Sequence, residues 1–411
     1  MMGPIVPDRY AVRHGVRGAP GPWQSGGVRI AMLTDCYLPR LGGIEVQVHD
    51  LATRLVAAGH DVEVFTATPG DGSAGVPRRG TVDVVDGIPV HRLAIPLPKD
   101  LPVNPLAPLQ LRSQLRRFDV AHIHMGVVSP FATDAAVLTS LLKIPTVMTW
   151  HCVLDKAAYA VRALGVVRRW ARHGMAMNAV SDIAAAPLRT IVNGPPVAVL
   201  PNGIDAAAWT VPTRPKPDDE VVRMVSAMRL APRKRPLPLV EMAVKVRRAA
   251  PGKDVRLEIL GEGPERSAVE RLIARHQAAE WITLPGRVTR EELKARYAAA
   301  DIYVSPTILE SFGIAALEAR TVGLPIVGRA GSGVAEFVVD DVNGYLAESD
   351  DDMVRCLTSL VIHPGARARM RQHNQSVAPA QDWPTVVSLA ESEYRRAITA
   401  RPLWSATPDL R

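Results

Sequence analysis

The sequence predicts an α/β protein made of two doubly wound domains, each an open and mostly parallel sheet, facing each other across a cleft. Three observations lead there. From residue 28 onward, short apolar runs alternate with stretches of helical periodicity, the pattern of successive strand–helix–strand units. A chain of 411 residues exceeds what one α/β core ordinarily holds. A Pro-rich, charged stretch at 210–220 breaks the alternation near mid-chain, and the alternation then resumes.

Residues 1–27 carry Arg9, Arg13 and Arg17 among Gly and Pro with no apolar run behind them, and are expected to be a disordered extension rather than a leader. The first domain is expected over 28–200, with strands at 28–34, 61–67, 82–85, 119–124, 146–150, 176–180 and 197–200. Its helices are predicted at 43–58, 105–117, 131–143, 156–173 and 181–192, the first closed by Gly59 as a C-terminal cap. Residues 201–220 form the expected linker. The second domain, over 221–382, has predicted strands at 222–228, 255–260, 281–284, 302–304 and 326–327. Beyond 350 the chain reads as helical. Its last helix, 383–399 within the segment 383–411, is expected to return to the first domain. Right-handed crossovers make each half doubly wound. Such sheets bind ligands outside the carboxyl ends of their strands.

Composition removes several classes. Hydrophobic content of 47% with 22% charged residues is that of a globular chain, not a disordered one. No apolar run reaches membrane-spanning length. Cys36, Cys152 and Cys356 show neither a CxxC pair nor metal-ligand spacing, which suits a reducing cytoplasm. A net charge of +8 favours anionic partners. Only 5% of residues are aromatic and no basic stretch is interleaved with them, so no nucleic-acid partner is expected.

Several strand-to-loop edges carry suggestive residues. In "YLPRLGGIE", Gly42 and Gly43 leave room for backbone N–H groups at a helix start to approach an anion; a tight turn explains the same pair. "VSAMRLAPRKRP" sets Arg229, Arg233, Lys234 and Arg235 after a strand, where cations neutralise a diphosphate, though charge runs also form plain solvated faces. In "SPTILESFGIAALEARTVGLPIV", Glu310 precedes a helix whose start comprises Phe312, Gly313 and Ile314, and Glu318 lies about two turns further. For an arbitrary pair at that spacing, two surface glutamates flanking an apolar helix is the preferred reading. His122 and His124 alternate on one face of a strand as a metal pair would, but no third ligand is evident and no metal site is expected. His151, at the end of the fifth predicted strand, faces the expected cleft.

Taken in order, "LPRLGGIE", "HIH", "TWH", "LPNGID", "RLAPRK", "GEGPER", "LPGRV" and "ESFGIAALEA" resemble the family-four retaining glycosyltransferases of the GT-B fold, over residue 28 to about 399. The resemblance implies two Rossmann-like domains and transfer of a hexose-type sugar from a UDP- or GDP-linked donor. Arg229 and Lys234 would bind the donor diphosphate. Glu310 would hold sugar hydroxyls with the backbone of Phe312, Gly313 and Ile314, and Glu318 the ribose. Arg287 and Val288 would contact the base, Gly42 and Gly43 would lie against phosphate or acceptor, and His151 would bond the transferred sugar. Asn202 and Asp205 match the interdomain turn and are taken as structural. Arg320, Thr321 and the Gly331-Ser-Gly333 loop depart from the family pattern.

No DxD metal motif follows a strand, so no cofactor or divalent ion is expected, and retention is expected through a front-face route. The acceptor is left open. Lys156, Arg162, Arg168, Arg169 and Arg172, interleaved with Leu164, Val167 and Trp170, form a basic amphipathic stretch compatible with an anionic membrane surface. That would make a lipid-linked or phosphoinositide acceptor attractive for a peripheral cytoplasmic enzyme. A nucleotide-sugar epimerase or hydrolase of the same architecture, and a non-enzymatic nucleotide-sugar sensor, are the rival readings.

Overall fold

The computed structural model describes residues 27–40, 42–70, 80–95, 103–154, 164–211 and 221–400. The predicted extension up to residue 26, the linker over 212–220, the start of the basic helix over 155–163 and the tail from 401 lie outside the described residues.

Strands β1 (Arg29–Thr34), β2 (Asp61–Thr66), β3 (Thr81–Val85), β4 (Ile88–Arg92), β5 (Val120–Met125), β6 (Thr146–Trp150), β7 (Ala176–Ala179) and β8 (Val197–Val199) build the first sheet. Its order is β3-β4-β2-β1-β5-β6-β7-β8, parallel except for the β3–β4 hairpin. Helices α1 (Gly43–Ala57), α2 (Ala107–Gln114), α3 (Pro130–Leu142), α4 (Val166–Arg172) and α5 (Asp182–Val192) lie between strands, and α6 (Ala206–Trp209) follows β8. Every residue of β5 and β6 is buried, as strands covered on both faces require.

The second sheet contains β9 (Val221–Ala227), β10 (Asp254–Leu260), β11 (Ile282–Gly286), β12 (Ile302–Val304), β13 (Ile326–Arg329) and β14 (Gly344–Ala347). Its order is β11-β10-β9-β12-β13-β14, wholly parallel. Around it run α7 (Pro236–Ala249), α8 (Arg266–Arg275), α9 (Arg290–Ala299), α10 (Ile314–Val322), α11 (Asp350–Ile362) and α12 (Pro364–Ser376). The strand order reverses between β9 and β12, and in the first sheet between β1 and β5. These are the switch points where an open α/β sheet leaves a crevice. The fold is two Rossmann-like α/β domains.

Two strands escaped the sequence reading. β4 follows a tight turn in which Asp86 and Gly87 both take positive φ, +49° and +82°, the geometry of a two-residue hairpin. Pro89 sits in it without harm, because β4 pairs with β2 only from Val90 onward. β14 lies between the largely polar runs 340–343 and 348–352 and only its end residues are buried, so no apolar run marks it. His151 therefore follows the sixth strand, not the fifth.

The final helix, α13 (Trp383–Thr399), packs on the first domain. Trp383, Val386, Ala390, Tyr394 and Ala397 fall on one helical face and share a core with Val48, Leu51 and Val147. The crossing at 201–211 is pinned beside its start. Gln47 Nε2 donates to the Gly203 carbonyl at 3.1 Å, and Gly203 N–H donates back to Gln47 Oε1 at 2.9 Å. A Cβ on residue 203 would lie 2.4 Å from the Trp383 ring, so the turn needs glycine. Among the described residues, no helix is long and apolar enough to cross a membrane.

Candidate active site

A cavity of about 360 Å³ lies between the two sheets. The first domain contributes Gly43, Ile44, His151, Cys152 and Asn202; the second contributes the ends of β9 and β12, Lys234 and the loop from Leu309 into α10. Both switch points thus open onto one space.

Two helix starts point at it. α1 begins at Gly43 behind the extended cap residue Gly42, and α10 begins at Ile314 behind Gly313, which takes φ +92°. Few residues other than glycine adopt that cap geometry. A Cβ built on Gly43 would lie 3.5 Å from Ile314 Cδ1, so the two starts nearly touch across the cleft. Neither start has a side-chain cap, and each turns the positive end of its dipole to the cleft; at α1 the buried Glu45 carboxylate, against Gly42 and 3.5 Å from Arg40, offsets part of that field, while α10 has no acid in its first turn. Phe312, buried beneath, keeps the second start rigid.

Lys234 Nζ donates to Glu310 Oε2 at 2.6 Å, with the side chains 34% and 16% exposed. The Glu310 loop is held from behind. Gly333 N–H donates to the Glu310 carbonyl at 2.8 Å, and a Cβ on Gly333 would meet the Ser311 carbonyl at 2.3 Å. The departing Gly331-Ser-Gly333 sequence therefore supplies a glycine where the packing demands one. Arg233 lines the cavity and Arg229 is exposed on the same loop; neither pairs with an acid among the described residues.

Arg235 behaves differently from its neighbours. Its guanidinium forks onto Asp350 at 2.8 and 2.7 Å and donates to the Pro306 carbonyl, joining α11 to the end of β12. Of the four cations in the run, Arg233 and Lys234 line the cavity, whereas Arg235 is turned onto Asp350. A charge run cannot show which member has an acid waiting 115 residues away.

Glu318 is half-buried near α1 of the opposite domain. Burial pushes its carboxyl up to about 8; the Arg290 guanidinium pulls it down and the Asp50 carboxylate pushes it further up. At neutral pH it is largely protonated and can both donate and accept. Glu318 does not line the main cavity, nor do Gly42, Arg229, Arg287 and Val288; the last two sit on the loop between β11 and α9. Arg320, in the same helix as Glu318, is buried; its Nη2 donates to the Val377 carbonyl at the end of α12 at 3.5 Å, while Nε and Nη1 are unpartnered among the described residues.

His151 lines the cavity, and its Nε2 lies 3.0 Å from His124 Nδ1. Burial lowers the imidazoles of His122 to about 3 and His151 to about 4; burial, then its two histidine neighbours, also holds His124 well below the ordinary value. All three are neutral. Among the described residues, no three His, Cys, Asp or Glu side chains are grouped as metal ligands would be.

The profile of Glycosyltransferase Family 4 matches residues 41–208, and that of Glycosyl transferases group 1 matches residues 210–377. The chain belongs to this glycosyltransferase family. A D-inositol 3-phosphate glycosyltransferase of Pseudarthrobacter chlorophenolicus is 27% identical over 393 residues, covering 87% of this chain and 91% of that one. A phosphatidylinositol N-acetylglucosaminyltransferase subunit of Arabidopsis thaliana is 25% identical over 390 residues, covering 90% and 82%. The crystal structure of Anabaena HepE in complex with UDP and glucose superposes with a TM-score of 0.69 at 18% identity, covering 89% of this chain and 99% of that one. The fold is GT-B.

Three cavity features of this glycosyltransferase were missed from sequence. Asn202, read as structural, lines the cavity; so do Ser226 and Tyr303, at the ends of β9 and β12. Strand order would have revealed the latter two, because only the strands flanking a reversal open onto the crevice.

Proposed function

We propose that this glycosyltransferase is a retaining hexosyltransferase that uses a UDP- or GDP-linked sugar without a divalent ion. The observation that carries the proposal is the convergence of two helix starts with Lys234 and Glu310 on one interdomain cavity. A nucleoside diphosphate sugar needs its growing leaving-group charge neutralised and its sugar held by hydroxyl contacts. Lys234, with Arg229 and Arg233, takes the diphosphate; Glu310 and the N–H groups of Phe312, Gly313 and Ile314 take the sugar hydroxyls. Glu318 takes the ribose, the backbone at Arg287 and Val288 the base, and Gly42 and Gly43 lie against phosphate or acceptor. His151 bonds the transferred sugar.

The bond from the anomeric carbon to the diphosphate oxygen breaks, the acceptor oxygen bonds the same face, and the acceptor's proton passes to the departing phosphate. Fixed cations and helix N–H groups stabilise the diphosphate as charge develops, each well-placed donor contributing ~3–4 kcal/mol. That is the work a metal would otherwise do.

The acceptor proposed is a membrane-associated inositol-type or lipid-linked molecule, met by the chain at a cytoplasmic membrane surface. Support comes from the relatives' names and from the exposed part of the basic stretch: Val167 and Trp170, expected to face the membrane, are buried in the core instead, which leaves exposed Leu164 with Arg169 and Arg172 to meet it. A panel of UDP-, GDP- and ADP-sugars, scored for nucleotide release in EDTA with and without a cell lipid extract, tests the whole reading. Release that requires an acceptor fraction supports transfer. Acceptor-independent turnover would favour the epimerase or hydrolase alternative.

A further inference from the structure

Behind the cleft, the first sheet holds a column of histidines. His122 and His124 stand two residues apart on β5, their ring centroids 4.2 Å apart, and His151 lies against the second at 5.3 Å. His122 is fully satisfied: Nδ1 bonds the Tyr394 hydroxyl at 2.9 Å and Nε2 the Thr149 hydroxyl at 2.8 Å. Hydroxyls donate or accept at will, so His122 imposes nothing on its neighbours. His124 has only one partner, Nε2 of His151, and its own Nε2 is buried with none among the described residues.

That asymmetry decides where the protons sit. All three rings are neutral, so each carries one N–H. Were His151 the donor in the pair, the proton of His124 would be on Nε2, a buried donor with no acceptor among the described residues. A buried lone pair is tolerated better than a buried unpaired N–H. His124 therefore carries its proton on Nδ1 and donates it to His151 Nε2. His151 must then carry its own proton on Nδ1, an atom that no described residue takes up.

No charged side chain lines the small cavity of about 20 Å³ beside these rings, and no carboxylate shifts any of the three. The column is an uncharged device.

We infer that His124 is a positioning residue: its ring fixes the tautomer and the tilt of His151, so that His151 offers an N–H donor to a hydroxyl oxygen of the transferred sugar. The inference rests on the proposed role of His151 in holding that sugar. Its first readout does not depend on transfer, however. Long-range nitrogen–proton correlation spectra of histidine-labelled, otherwise unaltered protein report which ring nitrogen bears each proton.

The expected spectrum at neutral pH shows His151 and His124 both protonated at Nδ1. His124→Leu should shift His151 to a mixture of tautomers and lower kcat/KM by about 10- to 100-fold, the usual cost of losing a partner that orients a reacting group. His124→Asn, whose amide N–H can stand in for Nδ1–H, should restore both the spectrum and most of the activity. A wild-type His151 protonated at Nε2 would overturn the inference even if neither variant folds. So would a His124→Leu enzyme with a changed tautomer but unchanged turnover, or one whose tautomer stays put. Absent transfer activity with the expected spectrum would instead count against the proposed function.

Discussion

The Lys234 ammonium lies 2.6 Å from the Glu310 carboxylate, so the groups proposed to hold opposite ends of a sugar donor are held by each other. A diphosphate entering the cleft gives Lys234 a second anionic partner, and a sugar hydroxyl gives Glu310 a donor to accept from. The pair thereby links diphosphate and sugar recognition.

Lys234→Ala removes one stabiliser of the leaving diphosphate and leaves Glu310 unpaired. Because charge grows mainly in the transition state, kcat should fall by about 100- to 1000-fold while donor KM changes far less. Steady-state kinetics with the best donor of the panel read this split. A rise in KM with unchanged kcat would assign Lys234 to ground-state binding only.

Gly333→Ala places a Cβ 2.3 Å from the Ser311 carbonyl and 2.6 Å from Phe312 Cα, so the Glu310 loop must move. Overpacking of this kind costs ~1–3 kcal/mol. Thermal denaturation should show that loss, and turnover per folded molecule should fall with it, because the loop that shifts carries the Glu310 carboxylate. A fully active variant of normal stability would show that the loop relaxes freely.

Glu318→Gln tests the buried carboxyl by pH. Its folded-state value, about 8, stands above the unfolded value, so the linked stability is present in full below the unfolded value and is lost as pH rises through about 8. Wild-type Tm should therefore include a decline between roughly pH 5 and pH 9 that the glutamine variant lacks. The variant should gain relative stability at the alkaline end and lose donor affinity. Parallel Tm profiles would place the carboxyl in ordinary solvent.

Arg235→Met separates structure from chemistry in the basic loop. Loss of the fork onto Asp350 should lower stability by about 1 kcal/mol, while kcat and donor KM per folded molecule stay near wild type. A large kinetic defect at normal stability would return Arg235 to the substrate-binding cations.

These residues also show what the sequence made legible. The alternation of strands and helices is written in buried runs such as β5 and β6, whose every residue is apolar or hydrogen-bonded within the core, so the architecture could be read directly. The helix start at Phe312, Gly313 and Ile314 was legible because a glycine cap leaves a local mark, whereas Glu310 was singled out only by the ordered motifs of the family resemblance. Arg235 was not, since its partner is set by the packing of α11 on the second sheet. The His124–His151 bond was hidden too. Alternation put His122 and His124 on one face of β5, but the β5–β6 register is needed to bring His151 beside the second of them.

The central claim is that loop cations at the end of β9 hold a diphosphate in the interdomain cavity without a metal. The most direct measurement is a calorimetric titration of UDP-glucose and GDP-mannose, in EDTA, into wild-type protein, Lys234→Ala and the double variant Arg229→Ala/Arg233→Ala. At least one donor should bind the wild type with chelator present, and the double variant should bind it at least about tenfold more weakly, the loss of ~1.4 kcal/mol or more. Equal affinity in wild type and double variant, or binding that appears only when magnesium or manganese is restored, would contradict the account.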